Sequence, residues 1–172
     1  MNEFDHIFEK FTAGESGLII MVGPPGSGKT TLSKRLADQY GIVRVSADDI
    51  RLELTGSYED QTSNKEVFAE VYSRLVRNLN SGKNVVYDAT NVNTHYRKKI
   101  IAICKNYATH MMCVVMRTDL VTCLNNVQAR AYNSVPNDII EDMYTKLHTR
   151  SPHILEGFDI IVGVDGVKND RA

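Results

Sequence analysis

LIIMVGPPGSGKT, residues 18–30, joins an apolar run to a glycine-rich turn that ends in lysine and threonine. An apolar run of this kind is typical of a strand buried on both faces of a parallel sheet. Residues 28–40 have helical periodicity, and Gly41 marks the end of that helix. The turn matches G-x-x-x-x-G-K-[ST] in the strand–turn–helix context that this motif requires. The stretch therefore predicts a phosphate-binding loop for a nucleoside triphosphate.

The chemistry of such a loop assigns roles to its side chains. Glycines allow backbone N–H groups to surround the phosphates, and the helix N-terminus adds partial positive charge. Lys29 is expected to reach the β- and γ-phosphates, and the Thr30 hydroxyl is expected to bind Mg²⁺. We therefore expect ATP and Mg²⁺ as cofactors. The expected nucleotide-binding residues of the loop are Gly23, Pro24, Pro25, Gly26, Ser27, Gly28, Lys29, Thr30 and Thr31.

Strand-like and helix-like stretches alternate along the chain. Strands are predicted at residues 18–22, 42–45, 84–87, 111–116 and 158–162. Helices are predicted at residues 5–11, 28–40, 48–54, 64–80, 96–107, 120–132 and 138–148. The alternation predicts an α/β fold of the P-loop NTPase or kinase type, with a mostly parallel sheet of about five strands and helices on both faces. Sheets of this kind bind ligands at the carboxyl ends of their strands.

Two carboxylates and an arginine follow the second predicted strand. Asp48 and Asp49 lie beside the phosphate loop in such a sheet, and Arg51 shares a helix face with Asp48. A kinase needs a base to orient and deprotonate the attacking hydroxyl, and an arginine suits an anionic substrate. The alternative is that either aspartate caps the helix and that Arg51 is solvated. Next to a phosphate loop we favour the functional interpretation, with Asp48 ahead of Asp49.

Asp88 ends the third predicted strand. A carboxylate at this point of a phosphate-loop protein commonly stands near Mg²⁺ or its water. The alternative is that Asp88 caps the next helix. Asn91 and Arg97 follow at the same rim of the sheet and are candidate substrate-binding residues.

Together these elements resemble the kinase domain of phage-type polynucleotide 5′-kinases, within the wider group of small P-loop kinases. The resemblance rests on the phosphate loop, DDIR at 48–51, DATNVN at 88–93 and VPNDIIEDMY at 135–144. It implies one kinase domain over residues 1–172. It also implies a helical lid, which we place at residues 117–137.

The resemblance also implies an ATP-dependent kinase whose partner is the 5′-hydroxyl end of DNA or RNA. Asp48 falls where the family has its general base, and Arg51 where an arginine contacts the phosphate next to the hydroxyl. Asp88 falls where the family has a carboxylate near the metal, and Arg130 where it has a lid arginine that closes over the nucleotide phosphates. The catalytic residues implied by the resemblance are therefore Asp48, Lys29, Arg51 and Arg130.

Three positions depart from the family pattern. Asn126 stands where the lid often carries a second basic residue, and Ala47 where an arginine often precedes the paired aspartates. Arg117 stands where an acidic or neutral residue is commoner. These departures bear on the polynucleotide acceptor more than on the kinase chemistry.

Composition limits the other classes of function. Lys plus Arg number 20 and Asp plus Glu number 21, so the net charge of −1 argues against a protein that coats nucleic acid. Cys104, Cys113 and Cys123 lack metal-type spacing and indicate free thiols in a reducing cytoplasm. The longest apolar run, residues 18–22, is too short to span a membrane, so we expect no membrane partner. The length of 172 residues leaves no room for a phosphatase or ligase, which we expect on a separate chain; the oligomeric state is open.

Two other functions remain open on the sequence. The same chemistry would serve a nucleoside, a small metabolite or a hydroxymethylated base in DNA as the acceptor. An ATP-binding regulatory switch would instead need a partner surface and would not need Asp48.

Overall fold

The computed structural model describes residues 3–166, and within them five strands form one sheet. The strands are β1 (Gly17–Val22), β2 (Val43–Ser46), β3 (Val85–Asp88), β4 (His110–Met116) and β5 (Ile160–Val164). Their order is β2-β3-β1-β4-β5, and every neighbouring pair is parallel. The predicted parallel α/β sheet is confirmed.

The register brings the carboxyl ends of the strands to one edge. Leu18 of β1 lies opposite Val85 of β3 and Met111 of β4. Ser46 at the end of β2 lies opposite Asp88 at the end of β3. The phosphate loop leaves the end of β1, at the centre of the sheet. The segments that carry the candidate carboxylates therefore meet on one side of the loop.

Helices cover both faces of the sheet. They are α1 (Glu3–Thr12), α2 (Lys29–Tyr40), α3 (Ala47–Thr55), α4 (Asn64–Asn80), α5 (Thr94–Cys104), α6 (Leu120–Ala129) and α7 (Asn137–Thr149), and a 3₁₀ turn follows at Ile154–Glu156. One core cluster joins α1 and α2 to one face, and a second joins α3, α4, α5 and α7 to the other. α4 contributes a buried stripe that repeats every four residues, as its periodicity predicts: Val67, Val71, Leu75 and Leu79.

Two predicted helices end three residues earlier in the structure than the sequence predicts. The helix expected at 96–107 begins at Thr94, because the Asn93 side chain accepts a hydrogen bond from the His95 N–H and caps it there. It ends at Cys104, where the chain enters a turn. The helix expected at 120–132 ends at Ala129, because Arg130 has extended backbone angles. Residues 130–136 therefore form a loop between α6 and α7.

α6 and α7 share a small core of their own. It consists of Cys123, Val127 and Ile140, with half-buried apolar neighbours. Cys104, Cys113 and Cys123 are all buried, and burial raises the pKa of the Cys123 thiol to about 11. Between residues 3 and 166, no helix is both long enough and apolar enough to cross a membrane.

Candidate active site

The phosphate loop needs glycine at two points. Gly26 has φ +78°, and a Cβ there would clash with the carbonyl oxygen of Cys123 on α6. Gly28 has φ +94° at the N-cap of α2. These left-handed conformations cost other residues strain, so the glycines of the motif are required by the backbone path. The path allows α6 to approach the loop closely.

Neighbouring segments hold the loop through its main chain. The Thr118 hydroxyl donates to the Ser27 carbonyl at 2.7 Å, and the Gly23 N–H donates to the Thr90 carbonyl at 2.9 Å. The Asn126 side chain donates to the Gly26 carbonyl at 2.9 Å. Asn126, named above as a departure from the expected family pattern, thus binds the phosphate loop.

Lys29 is the electrostatic centre of the site. It is buried, and its Nζ donates to the Pro24 carbonyl at 2.8 Å. Burial lowers the pKa of Lys29 below the ordinary lysine value, while the nearby carboxylates of Asp88 and Asp48 oppose that shift. Arg130 also lies within electrostatic reach and adds to the lowering of this pKa. Two carboxylates and Arg130 therefore lie within electrostatic reach of the loop lysine.

Asp88 is buried at the end of β3 and paired with an arginine. Its Oδ2 accepts hydrogen bonds from Arg44 Nη2 at 2.6 Å and from the Ser33 hydroxyl at 2.9 Å. Arg44 also pairs with Asp49 at 2.5 Å. Arg44 was not among the residues predicted from the sequence; its signal was an arginine inside a short strand that runs into two aspartates. Asn93, and not Asp88, caps α5.

The DDIR segment occupies the first turns of α3. Ser46 is the N-cap, since its side chain accepts from the Asp49 N–H, so neither aspartate is needed as the cap. Asp48 is exposed and accepts a hydrogen bond from the Asn133 side chain at 3.0 Å. Asp49 is engaged by Arg44. These contacts leave Asp48 as the carboxylate that faces the lid.

Arg51 is buried rather than solvated. Its Nη1 donates to the Asp60 carbonyl at 2.9 Å and to Asn64 Oδ1 at 2.6 Å. Asn64 is the first residue of α4, so these bonds fix Arg51 between α3 and the start of α4. Arg51 and Asp48 lie on the same helix, and these bonds fix the position of the Arg51 side chain.

Arg97 and Asn91, the candidate substrate-binding residues after β3, have structural partners in the folded chain. Arg97 has no exposed surface, and its Nε and Nη2 bind the two carboxylate oxygens of Glu156 at 2.7 Å each. Its Nη1 donates to the carbonyls of Asn91 and Val92 at 3.0 and 2.9 Å. The Asn91 amide donates to the Met21 carbonyl at 2.8 Å. Both residues secure the loop after β3 because their polar groups are turned inward.

The loop of residues 130–136 lies within the segment expected to form the lid, and it reaches both Lys29 and Asp48. Arg130 is half-buried, and its Nε is the one buried side-chain nitrogen or oxygen of the described chain without a hydrogen-bond partner. Three residues further on, Asn133 has φ +50° and binds Asp48. The ring of Tyr132 lies 5.5 Å from that of Tyr58. A buried, unpaired guanidinium N–H next to Lys29 suits an anionic ligand.

A family model described as an AAA domain matches residues 18–149, more than half of the chain. The chain belongs to this AAA domain family. The match spans the phosphate loop, the DDIR segment, Asp88 and residues 117–137, and the fold is that of P-loop kinases.

Several solved structures and curated relatives are similar to this chain. A chain of the Pnkp1/Rnl/Hen1 RNA repair complex superimposes with a TM-score of 0.70 and 25% identity, over 77% of this chain and 44% of that chain. Shikimate kinase from Acinetobacter baumannii, in complex with shikimate, gives a TM-score of 0.57 and 18% identity, over 93% and 89% of the two chains. A Thermococcus onnurineus protein whose name places it with the adenylate kinases is 38% identical over 71 residues, 41% of this chain. The chain spans 39% of that relative's length.

Residues at and beside the phosphate loop also offer oxygen atoms suited to Mg²⁺. Within residues 3–166 no cluster of three or more His, Cys, Asp or Glu side chains forms a metal site. Mg²⁺ at a phosphate loop needs only one or two protein oxygens, because phosphates and water complete the shell. Thr30 and Thr31 are exposed in the first turn of α2, and Asp88 lies within electrostatic reach of the adjacent Lys29. Thr30 and Asp88 therefore offer suitable oxygens.

Proposed function

We propose that this protein is an ATP-dependent kinase that transfers the γ-phosphoryl group to the 5′-hydroxyl of DNA or RNA. The observation that carries the proposal is that Asp48 lies within electrostatic reach of Lys29. A carboxylate next to the phosphate-loop lysine places a base for the hydroxyl beside the phosphoryl group that this hydroxyl attacks. The family match and the P-loop kinase fold support this chemistry.

Each charged side chain then has a distinct task. Lys29 and Arg130 neutralise the charge that develops on the transferred group, and Asp48 accepts the proton of the hydroxyl. Asn133 orients the Asp48 carboxylate through its hydrogen bond. Since Arg130 and Asn133 lie on one loop, closure of the lid positions the cation and the base together.

Mg²⁺ would be held by the Thr30 hydroxyl and, directly or through water, by Asp88. When bound, it supplies neutralisation of charge on the β- and γ-phosphate oxygens. Arg44 and Ser33 keep the Asp88 carboxylate in place for this purpose.

The nucleic acid acceptor rests on the DDIR and DATNVN segments and on the likeness to a chain of an RNA repair complex. A small hydroxyl compound is the second candidate acceptor, because the fold of shikimate kinase covers 93% of this chain. Labelled ATP with Mg²⁺ and a panel of 5′-hydroxyl DNA, 5′-hydroxyl RNA, free nucleosides and small hydroxy acids separates the two. Transfer to the small compounds alone would contradict the nucleic acid acceptor.

Asp48→Asn tests the kinase mechanism. We expect phosphoryl transfer to fall by about 100- to 10,000-fold, because the base is lost. ATP affinity should be retained, since Lys29 and the loop are untouched. Asp38→Asn, at an exposed position of α2, is the matched control and should behave as the wild type. Unchanged transfer in Asp48→Asn would remove Asp48 from the base role, and ATP hydrolysis without transfer to any acceptor would favour a regulatory switch.

A further inference from the structure

α4 and α5 share a group of aromatic side chains outside the phosphate site. The rings of Phe68 and Tyr72 on α4 are 6.3 Å apart and inclined at 29°. The ring of Tyr96 on α5 lies 6.4 Å from that of Phe68, inclined at only 17°. Tyr96 is 57% exposed, whereas Phe68 and Tyr72 are half-buried. The two inner rings therefore support Tyr96, which presents its surface to solvent.

Positive charge accompanies these rings. Lys99 Nζ lies 5.3 Å from the centroid of the Tyr72 ring, a cation–π distance. The ring of His95 contacts that of Tyr96 at 5.9 Å. α5 contains no aspartate or glutamate, and Lys98 and Lys99 are exposed on it. In a chain of net charge −1, α5 therefore carries local positive charge. We call the following five residues the α4–α5 aromatic surface: Phe68, Tyr72, His95, Tyr96 and Lys99.

The α4–α5 aromatic surface begins next to the proposed acceptor side. Arg51 binds Asn64, the first residue of α4, and Phe68 follows one helical turn later. The buried Tyr87 lies near both the aromatic surface and the acceptor side. Burial raises the pKa of its hydroxyl, and the charges of neighbouring groups raise it further. Those neighbours include Tyr72 of the aromatic surface as well as Asp48. Tyr72 of the aromatic surface and Asp48, the candidate base, therefore both lie within electrostatic reach of the buried Tyr87.

We propose that the α4–α5 aromatic surface binds the nucleotides that follow the 5′-terminal one in a single-stranded nucleic acid acceptor. This inference rests on the proposed function. Bases stack on exposed aromatic rings whatever their sequence, and a flanking lysine attracts the backbone phosphates. One base stacks on Tyr96, and Lys99 faces an adjacent phosphate. The chain thus grips a strand over a few nucleotides near its end.

The test compares a short with a long acceptor. A nucleoside 3′-monophosphate offers a 5′-hydroxyl and no following base, whereas a single-stranded ten-mer offers both. Tyr96→Ala should raise the KM for the ten-mer about tenfold more than the KM for the mononucleotide, because stacking of one base is lost. Tyr96→Phe should retain the wild-type KM, since the ring persists. Tyr107→Ala is the matched control, a tyrosine exposed by 39% beyond the other end of α5.

The results separate this inference from the proposed function. If the wild type phosphorylates the ten-mer and Tyr96→Ala leaves its KM unchanged, the inference is overturned while the kinase remains. If the wild type phosphorylates no nucleic acid at all, both are overturned. A ten-mer KM that rises in Tyr96→Ala but not in Tyr96→Phe or Tyr107→Ala supports both.

Discussion

The phosphate loop and the acceptor side of the site are held by different kinds of contact. Lys29 bonds within its own loop, to a carbonyl five residues away, and the outer partners of the loop bind main-chain carbonyls that any sequence provides. On the acceptor side, side chains bind side chains across 13 residues (Arg51–Asn64), 44 residues (Arg44–Asp88) and 85 residues (Asn133–Asp48).

This difference explains which half of the site is recognisable from sequence. A loop fixed by local backbone geometry retains its motif in many proteins, whatever surrounds it. An acceptor side built from distant pairs depends on both members of each pair and on the strand order that brings them together. Substitutions on the two sides should therefore fail in different ways.

The largest effect is expected where a long-range pair is buried. Arg97→Ala leaves the carboxylate of Glu156 buried without its cation and removes the bonds to the loop after β3. We expect a loss of about 3–5 kcal/mol in the free energy of unfolding. Urea denaturation followed by circular dichroism measures it, with Arg150→Ala, at an exposed position, as the control. A loss below about 1 kcal/mol, as for a surface ion pair, would contradict a large contribution of the Arg97–Glu156 pair to the free energy of unfolding.

Lys29→Ala tests the local half of the comparison. The variant should bind triphosphate weakly and transfer phosphate at least about a hundredfold more slowly, because a cation aimed at the transferred group is lost. The free energy of unfolding should not fall, since burial of the lysine charge is unfavourable in the unliganded protein. Lys34→Ala, on the exposed side of α2, is the control. Normal turnover in Lys29→Ala would contradict the site.

Asn133→Ala tests the contact between the lid and the base. Asp48 keeps its charge but loses the hydrogen bond that orients it. We expect turnover to fall about tenfold, the rate equivalent of one hydrogen bond to a charged group, with little change in the KM for ATP. Asn125→Ala, at an exposed position of α6, should have no effect. A rise in the KM for ATP at unchanged turnover would place Asn133 in nucleotide binding instead.

The smallest expected effect is the uptake of a fraction of a proton by Lys29 when a triphosphate binds. Burial lowers the pKa of Lys29 below 10.5, so part of the lysine loses its charge as the pH rises through that lowered value. A bound triphosphate favours the charged form and raises this pKa again. Binding at alkaline pH should therefore take up a fraction of a proton and weaken as the pH rises. Calorimetry over a series of alkaline pH values, in two buffers of different ionisation enthalpy at each, measures the uptake. Lys29→Arg should abolish it, and equal heats for the wild type would contradict it.

Much of the fold and part of the site follow from the sequence. The five strands and seven helices were predicted with shifts at their ends, since apolar periodicity reflects which faces are buried. Lys29, Asp48, Asp88 and Arg130 were all singled out, and the structure brings the other three within electrostatic reach of Lys29. The sequence made Arg97 a candidate substrate-binding residue. A sequence does not distinguish an arginine that faces a ligand from one that faces a carboxylate such as Glu156, 59 residues away along the chain.

The sequence by itself determined the phosphate loop and the parallel sheet, because both are encoded in short stretches whose backbone conformation depends on near neighbours. Only the tertiary structure decided that Arg44 holds Asp88 and that Asn133 reaches Asp48. It also decided that Phe68, Tyr72 and Tyr96 meet on one surface. Those contacts depend on the order β2-β3-β1-β4-β5 and on the packing of α4 against α5, which join residues far apart along the chain.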